Sequence, residues 1–130
     1  MAVSGPEPGT GPGSGSRIVI QLPTENAGER KAAIFSLDYV KKVFGGATRS
    51  KTGQGSFTEF RHNSVTNKMQ WTAVCLVLID TYFDANDGTL LLKAQNVQAQ
   101  ATKEYLLHAS QSFSSQRSIF VTVVAIKYFS

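Results

Sequence analysis

The sequence predicts an α+β fold, in which a four-stranded antiparallel sheet carries two helices on one face. Three observations support this prediction. The chain has 130 residues, enough for one domain with its own core. Its apolar residues follow the two-residue period of strands in some segments and the 3.6-residue period of helices in others. The segments run strand, helix, strand, strand, helix, strand, and two strand–helix–strand halves in so short a chain favour an antiparallel sheet.

The first 16 residues, MAVSGPEPGTGPGSGS, are rich in glycine, proline and serine. Such a composition buries too little apolar surface to offset the entropy cost of ordering. We therefore expect residues 1–16 to form a disordered tail and residues 17–130 to form a single domain.

The first strand and the first helix come next. Residues 17–22, RIVIQL, alternate apolar side chains as a strand does. Residues 32–46 predict a helix, because apolar residues recur there at helical spacing. These residues are Ile34, Leu37, Val40 and Phe44, with Phe35 and Val43 beside them. Gly45 is suited to end this helix in a left-handed backbone conformation.

The second half of the chain repeats the pattern. Residues 48–60 predict an irregular edge strand, and residues 69–83, rich in β-branched and aromatic side chains, predict a long buried one. Residues 89–113 predict an amphipathic helix, although an Asp-Gly pair just before it leaves a hairpin turn open for residues 88–95. The buried row of this second helix would be Leu90, Ala94, Val97, Ala101 and Tyr105. Residues 118–129 predict the last strand.

This order of elements is that of the ferredoxin-like fold, which places the first and third strands in the middle of the sheet. The layout YVKKVFGGAT…GQGSF, followed by a hydrophobic strand, an amphipathic helix and F…QRSIFVTV, also resembles a group of short, uncharacterised bacterial proteins. Those have a helix ending in F-G-G-A-T, a G-x-G-x-W turn and a closing helix–Q–strand. The resemblance spans residues 34–124, with Phe57 near the tryptophan position. It implies a ferredoxin-like fold and no particular reaction.

Residues 45–52, GGATRSKT, come close to a phosphate-binding loop but do not fit one. Such a loop leaves a strand and enters a helix, so that backbone N–H groups converge on the phosphates. Here the predicted helix precedes the glycines and a strand follows, and Ser50 replaces the last glycine of the motif. We interpret Gly45 and Gly46 as a helix stop and a turn.

The third and fourth predicted strands are apolar on both sides. A sheet with helices on one face should alternate toward polar residues on the other. Large exposed apolar patches are rare on monomers, so we expect the chain to form a homo-oligomer, a dimer or a trimer. The alternative is that residues 26–30, the tail or the loop at residues 61–70 covers the sheet. The predicted interface residues are Val74, Leu76, Leu78, Val121 and Val123.

One cluster suggests binding of an anionic ligand or partner. The segment at residues 46–69 is long and basic, and aromatic residues lie among its charges, a combination that can hold phosphates or stacked bases. A solvated loop with ordinary charges is the alternative. The candidate residues are Arg49, Lys51, Arg61, His62, Lys68 and Trp71.

Other chemistry-bearing residues predict no catalytic, metal or cofactor site. His62 and His108 have no further ligands at metal spacing. Cys75 lies among aliphatic residues, as a buried and inert thiol would. Asp80, Asp84 and Asp87 do not match a calcium loop and are better explained by turn formation and helix capping.

Composition limits the class of function. The net charge is +4 with one cysteine, which permits an anionic partner and favours a cytoplasmic location without membrane spans. The favoured function is a small homo-oligomeric binding or regulatory module whose basic loop, at about residues 46–69, contacts an anionic ligand, such as a small molecule, or an anionic partner. The alternatives are a nucleic-acid-binding or virion-associated protein and a dimeric α+β barrel enzyme.

Overall fold

The computed structural model describes residues 12–45, 49–51, 56–63, 68–109 and 118–129. Over these residues it is an α+β structure with two helices and an antiparallel sheet. The elements are β1 (Pro12–Pro23), α1 (Ala27–Phe44), β2 (Arg49–Lys51), β3 (Ser56–Asn63), β4 (Lys68–Thr81), α2 (Gly88–His108) and β5 (Phe120–Phe129).

The sheet has β4 and β1 in its middle. Strand β1 pairs with β4 on one side and with β5 on the other, and β2 and β3 both pair with the far edge of β4. The predicted edge strand at residues 48–60 is thus two separate strands, and the described sheet has five strands where four were predicted. Two glycines, Gly53 and Gly55, fall in the sequence between β2 and β3, at residues outside the described ones.

Strand β1 begins at Pro12, whereas the sequence predicted a disordered tail as far as residue 16. Residues 12–16 pair with the end of β5, from Phe129 to Ala125. Glycine is needed at residue 15 for close approach, because a Cβ there would collide with the backbone carbonyl of Thr81, and at Gly13 the end of the Tyr128 ring occupies the place of a Cβ. Composition suggested disorder, but two of these glycines make room for neighbouring chains.

Helix α2 matches its prediction closely. It is helical from Gly88, so residues 88–95 belong to the helix and not to a hairpin strand. Its N-cap is Asp87, whose Oδ1 accepts a hydrogen bond from the N–H of Leu90 at 2.9 Å. The buried residues are those of the predicted row, Leu90, Ala94, Val97, Ala101 and Tyr105.

Helix α1 buries only part of its predicted stripe: Val40 and Phe44 are buried as predicted, but Ala32, Ala33 and Ser36 take the place of Ile34. Its buried stripe is made of small residues, Ala32, Ala33 and Ser36, followed by Val40 and Phe44. Ile34 and Phe35 are instead exposed. Small side chains let α1 lie close to α2, and Ser36 donates its hydroxyl to the Ala32 carbonyl, so burial leaves that group paired. The helix ends at Gly45, whose φ of 60° and ψ of −158° suit glycine alone.

The core lies between the helices and one side of the sheet. Ile18 and Ile20 of β1 and Val77 and Ile79 of β4 are fully buried there, together with the buried stripes of both helices. The register places Ile18 opposite Ile79 and Ile20 opposite Val77, so these side chains share one face. Both helices therefore cover the same face of the sheet.

Candidate functional site

The side of the sheet that faces away from the helices is the first candidate, and we call it the open face. Strand periodicity and register define it, because residues that alternate with the core residues point the other way. Val19 lies opposite Leu78 and opposite Thr122, and neither helix contributes to this side. The open face consists of Arg17, Val19, Gln21, Leu76, Leu78, Asp80, Phe120, Thr122, Val124 and Ile126.

Apolar side chains make up most of the open face. Phe120 is 57% exposed and Val124 is 45% exposed, while Val19, Leu76 and Leu78 are half-buried. These residues belong to three adjacent strands, so they form one continuous surface. Among the described residues no helix covers this surface, and both helices lie on the opposite side. An apolar surface of this kind is typical of an interaction site.

An ion pair lies at one end of the open face. The Nε of Arg17 donates to Asp80 Oδ1 at 2.6 Å, and its second terminal nitrogen donates to Oδ2 at 3.0 Å. The hydrogen bond and the charge of Asp80 raise the pKa of Arg17 above its already high ordinary value. Sequence reasoning assigned Asp80 to turn formation or capping, whereas it lies in β4. The missed signal was register: antiparallel pairing places Arg17 directly opposite Asp80.

The predicted interface residues divide between the two faces. Leu76 and Leu78 lie on the open face. Val74 points to the same side, but it is fully buried and is not part of the main core.

Val121 and Val123 were predicted to lie on the open face, and this placement is corrected. They pair with Ile20 and Ile18, point toward the helices and pack against the core. In a strand as apolar as β5, composition cannot tell one face from the other, so only the register decides. The open-face residues of β5 are instead Phe120, Thr122, Val124 and Ile126.

The predicted basic cluster is distributed along one edge of the sheet. Arg49 lies opposite Asp80 and Lys51 opposite Leu78, on β2. Arg61 lies opposite Gln70, ten positions away along β4. At about 3.3 Å per residue, Arg61 is about 33 Å from Arg49 and about 26 Å from Lys51. The structure therefore separates Arg49 and Lys51 from Arg61, whereas the pairing of β3 with β4 places Arg61, His62, Lys68 and Trp71 in one short stretch.

Strands β3 and β4 extend beyond the end of β1. Pairing of β1 with β4 stops at Val74, the N–H of Thr24 still donates to the Ala73 carbonyl at 2.9 Å, and residues 68–72 continue beside β3. Trp71, in this extension, is 66% exposed, and Met69 is 49% exposed. The base of the extension is held by Glu25, whose Oε2 accepts from the N–H of Ala73 at 2.7 Å. His62 and Lys68 lie in the same extension, opposite Met69 and Asn63.

The remaining polar residues have structural partners. His108 stacks on Phe35 with ring centroids 5.2 Å apart. Asp84 accepts from the N–H of Asn86 at 2.9 Å, which forms the predicted turn before α2. Cys75 is buried in the core, as predicted. Within the described parts of the chain, no three histidine, cysteine or carboxylate side chains group as metal ligands would. Neither described helix is both long enough and apolar enough to cross a bilayer.

Comparison with known proteins adds little. No protein-family model and no curated protein matches the chain significantly. One similar solved structure is a candidate amidohydrolase/peptidase from Burkholderia cenocepacia, at 14% sequence identity and a TM-score of 0.41. The match covers 92% of this chain and 28% of that protein. At this level of similarity it carries no functional argument.

Proposed function

We propose that this chain is a ferredoxin-like, homo-oligomeric module that assembles by packing its open face against the open face of a second copy. The observation that carries the proposal is the continuous apolar surface of β4, β1 and β5 on the side without helices. Sheet-on-sheet packing is the common way to cover such a surface, because the side chains of the two faces interdigitate.

The strand order supports the ferredoxin-like assignment. If β2 and β3 are counted as one interrupted edge strand, the order across the sheet is second, third, first and fourth. The two helices lie between the first and second and between the third and fourth of these strands along the chain. This is the arrangement of the split strand–helix–strand fold.

The size of the open face is that of the central part of a specific interface. Three strand positions at about 4.8 Å each give a width of about 14 Å, and eight paired residues give a length of about 26 Å. The projection of about 370 Å² is about half of the roughly 800 Å² that each partner of a standard interface buries. The open face therefore supplies the centre of such an interface, and neighbouring residues would supply the rest.

Charge also favours a second copy. Where β4, β1 and β5 pair with one another, the two charged side chains of the open face are Arg17 and Asp80, which form an ion pair with each other. This part of the face therefore presents no net charge to a second copy, and Arg49 and Lys51 lie opposite Asp80 and Leu78 at its β2 edge.

Sedimentation of the full chain tests the proposal, with Leu78→Asp as the open-face variant. The charge would be buried without a partner in the interface, so assembly should weaken at least tenfold. Leu107→Asp is the matched control, because Leu107 is 68% exposed on α2, away from the sheet. A wild-type particle of 14.1 kDa at 100 µM, or equal masses for both variants, would contradict the proposal.

A second candidate function is binding of an extended polyanion such as nucleic acid along the β2–β3 edge. The observation that favours it is the spacing: Arg49 and Lys51 lie about 33 Å and about 26 Å along the edge from Arg61, too far for one small anion to contact both groups. An extended phosphate backbone can span that distance. Affinity for a single-stranded oligonucleotide should fall steeply with salt if these residues contact phosphates, and a flat response would remove this candidate.

A further inference from the structure

The two edges of the sheet differ in how well they are protected from further strands. The β2–β3 edge is broken into strands of three and eight residues and carries charges such as Arg49, Lys51 and Arg61. The β5 edge runs without a break for ten residues, and its single charge is Lys127. Natural edge strands are normally blunted by shortness, charge, proline or bulges. Among these, β5 has only the one charge.

We propose that β5 pairs with β5 of a second copy, antiparallel, so that two sheets join into one. This inference shares with the proposed function the premise that the chain self-associates. It concerns a different surface, the edge of the sheet and not its open face. Along the described chain β5 pairs with β1 alone, so its outer backbone groups are available to a further strand. A second copy of the same strand is the partner whose length and pattern match by construction.

Symmetry restricts the register of this pairing. An antiparallel pair related by a two-fold axis has that axis perpendicular to the sheet, so both copies present the same face to the same side. Residues opposite each other must then belong to the same face, and one residue lies opposite itself. A centre at Val124 pairs residues 120–128, and it places Phe120 opposite Tyr128 of the second copy.

This register is chemically consistent. Lys127 lies opposite Val121 of the second copy, so the two lysines do not face each other. Phe120, which is 57% exposed in the single chain, gains an aromatic neighbour on the open face. Nine paired residues in a ladder supply about nine backbone hydrogen bonds, comparable with the roughly ten of a typical interface.

Edge pairing also changes the open face. Two copies side by side present eight strand positions, about 38 Å across, on one continuous surface. The edge axis is perpendicular to the sheet, and the face-to-face axis lies parallel to it. If the two axes intersect, the two operations close into a tetramer of about 56 kDa, four times the 14.1 kDa chain.

Cross-linking of Ala125→Cys tests the edge separately from the face. Ala125 pairs with Ser16, so its side chain points to the helix side and is exposed, and face-to-face packing cannot bring two copies of it together. A centre at Val124 places the two positions one diagonal apart, within reach of a short bis-maleimide. The wild-type chain, whose one cysteine is buried, and Lys31→Cys on α1 are the controls.

We expect most of the Ala125→Cys protein to form covalent dimers, and neither control to do so. Combined with Leu78→Asp, the cross-link should persist in a particle of half the wild-type mass. Loss of cross-linking with the wild-type mass unchanged would overturn the edge proposal and leave the proposed function standing. A persistent cross-link with no effect of Leu78→Asp on the mass would contradict the proposed function and leave the edge proposal standing.

Proline substitution gives a second readout. Consecutive amides of a strand point to opposite edges, so one of Val124→Pro and Ala125→Pro removes a bond to β1 and the other removes only an outward donor. The less destabilised variant, identified by its melting temperature, should have half the wild-type mass. A mass equal to that of the wild type in this folded variant would contradict edge pairing.

Discussion

The two faces of the sheet are built from neighbouring residues of the same strands and yet have different environments. In β4, Val77 and Ile79 are fully buried against the helices, while Leu76 and Leu78 between them are half-buried on the open face. The residue types on the two sides are nearly the same. Burial in this molecule is therefore set by where the helices pack, and hydrophobicity alone does not identify the surface left for a partner.

The largest expected difference between the faces is in the cost of truncating adjacent residues. Ile79→Ala should lower the free energy of unfolding by about 2–5 kcal/mol, because it leaves a cavity among fully buried neighbours. Leu78→Ala should cost about 1 kcal/mol or less at concentrations where the chain is monomeric, since Leu78 is half-buried. Urea denaturation at low micromolar concentration measures both values.

Protein concentration sharpens this test. If the open face is an interface, the cost of Leu78→Ala should rise as concentration increases, because association contributes to the stability of the folded state. The part of the cost of Ile79→Ala that comes from the cavity in the core should be the same at every protein concentration. Equal costs for the two variants in the monomer would mean that the two faces do not differ as described.

Much of the fold could be predicted from the sequence, and the reasons are local. Helix α2 has a strong period and an aspartate N-cap, so its existence and its buried row were both predicted. Helix α1 has apolar residues on more than one side, and the preference for Ala32, Ala33 and Ser36 in the core depends on how closely α2 approaches. Periodicity within one helix contains no information about that distance.

The candidate site was harder to predict because it depends on register. Composition showed that both sides of β5 are apolar, but only the pairing of Val121 with Ile20 assigns Val121 to the covered side. The basic residues looked like one cluster because they are close in sequence. Strands β2 and β3 follow each other along the same edge of β4, so the extended chain separates such residues, and the positions opposite Arg49 and Arg61 are ten residues apart.

Two buried tyrosine hydroxyls offer a second comparison between the faces. On the covered side, Tyr105 is fully buried and donates to the Pro23 carbonyl at 2.7 Å. Tyr105→Phe leaves that carbonyl without its donor and should cost about 1–3 kcal/mol of unfolding free energy. Near the open face, the hydroxyl oxygen of Tyr128 is buried without a hydrogen-bond partner among the described residues. Tyr128→Phe should be neutral or slightly stabilising in the monomer.

Thermal melting of the two phenylalanine variants against the wild type checks this pair. A melting temperature for Tyr128→Phe as low as that for Tyr105→Phe would show that the Tyr128 hydroxyl has a partner. Because Tyr128 packs edge-on against Tyr82, with ring centroids 5.0 Å apart, Tyr82→Phe serves as the control for loss of a hydroxyl without loss of a ring.

The smallest expected effect in the monomer concerns the ion pair of Arg17 and Asp80. Both side chains are about a third or more exposed, at 40% and 32%, so Asp80→Asn should cost less than about 1 kcal/mol. Asp80 raises the pKa of Arg17, and a raised pKa contributes stability that is lost only as pH rises through it. The pKa of Arg17 lies far above neutral pH. At neutral pH, added salt should therefore weaken the ion pair, whereas a change of pH should not deprotonate Arg17.

In the assembled protein, loss of the ion pair should have a large effect and not the smallest one. If the open face packs against a second copy, the ion pair loses water, and removing Asp80 leaves the Arg17 charge in the interface without this carboxylate. Asp80→Asn should then weaken association more than the double variant Arg17→Gln/Asp80→Asn does, because the double variant also removes the Arg17 charge. Sedimentation of both single variants and the double variant measures the dissociation constants, and a double-mutant cycle gives the coupling between the two residues. Simple additivity would mean that the pair stays in water, and that the interface, if there is one, lies elsewhere on the molecule.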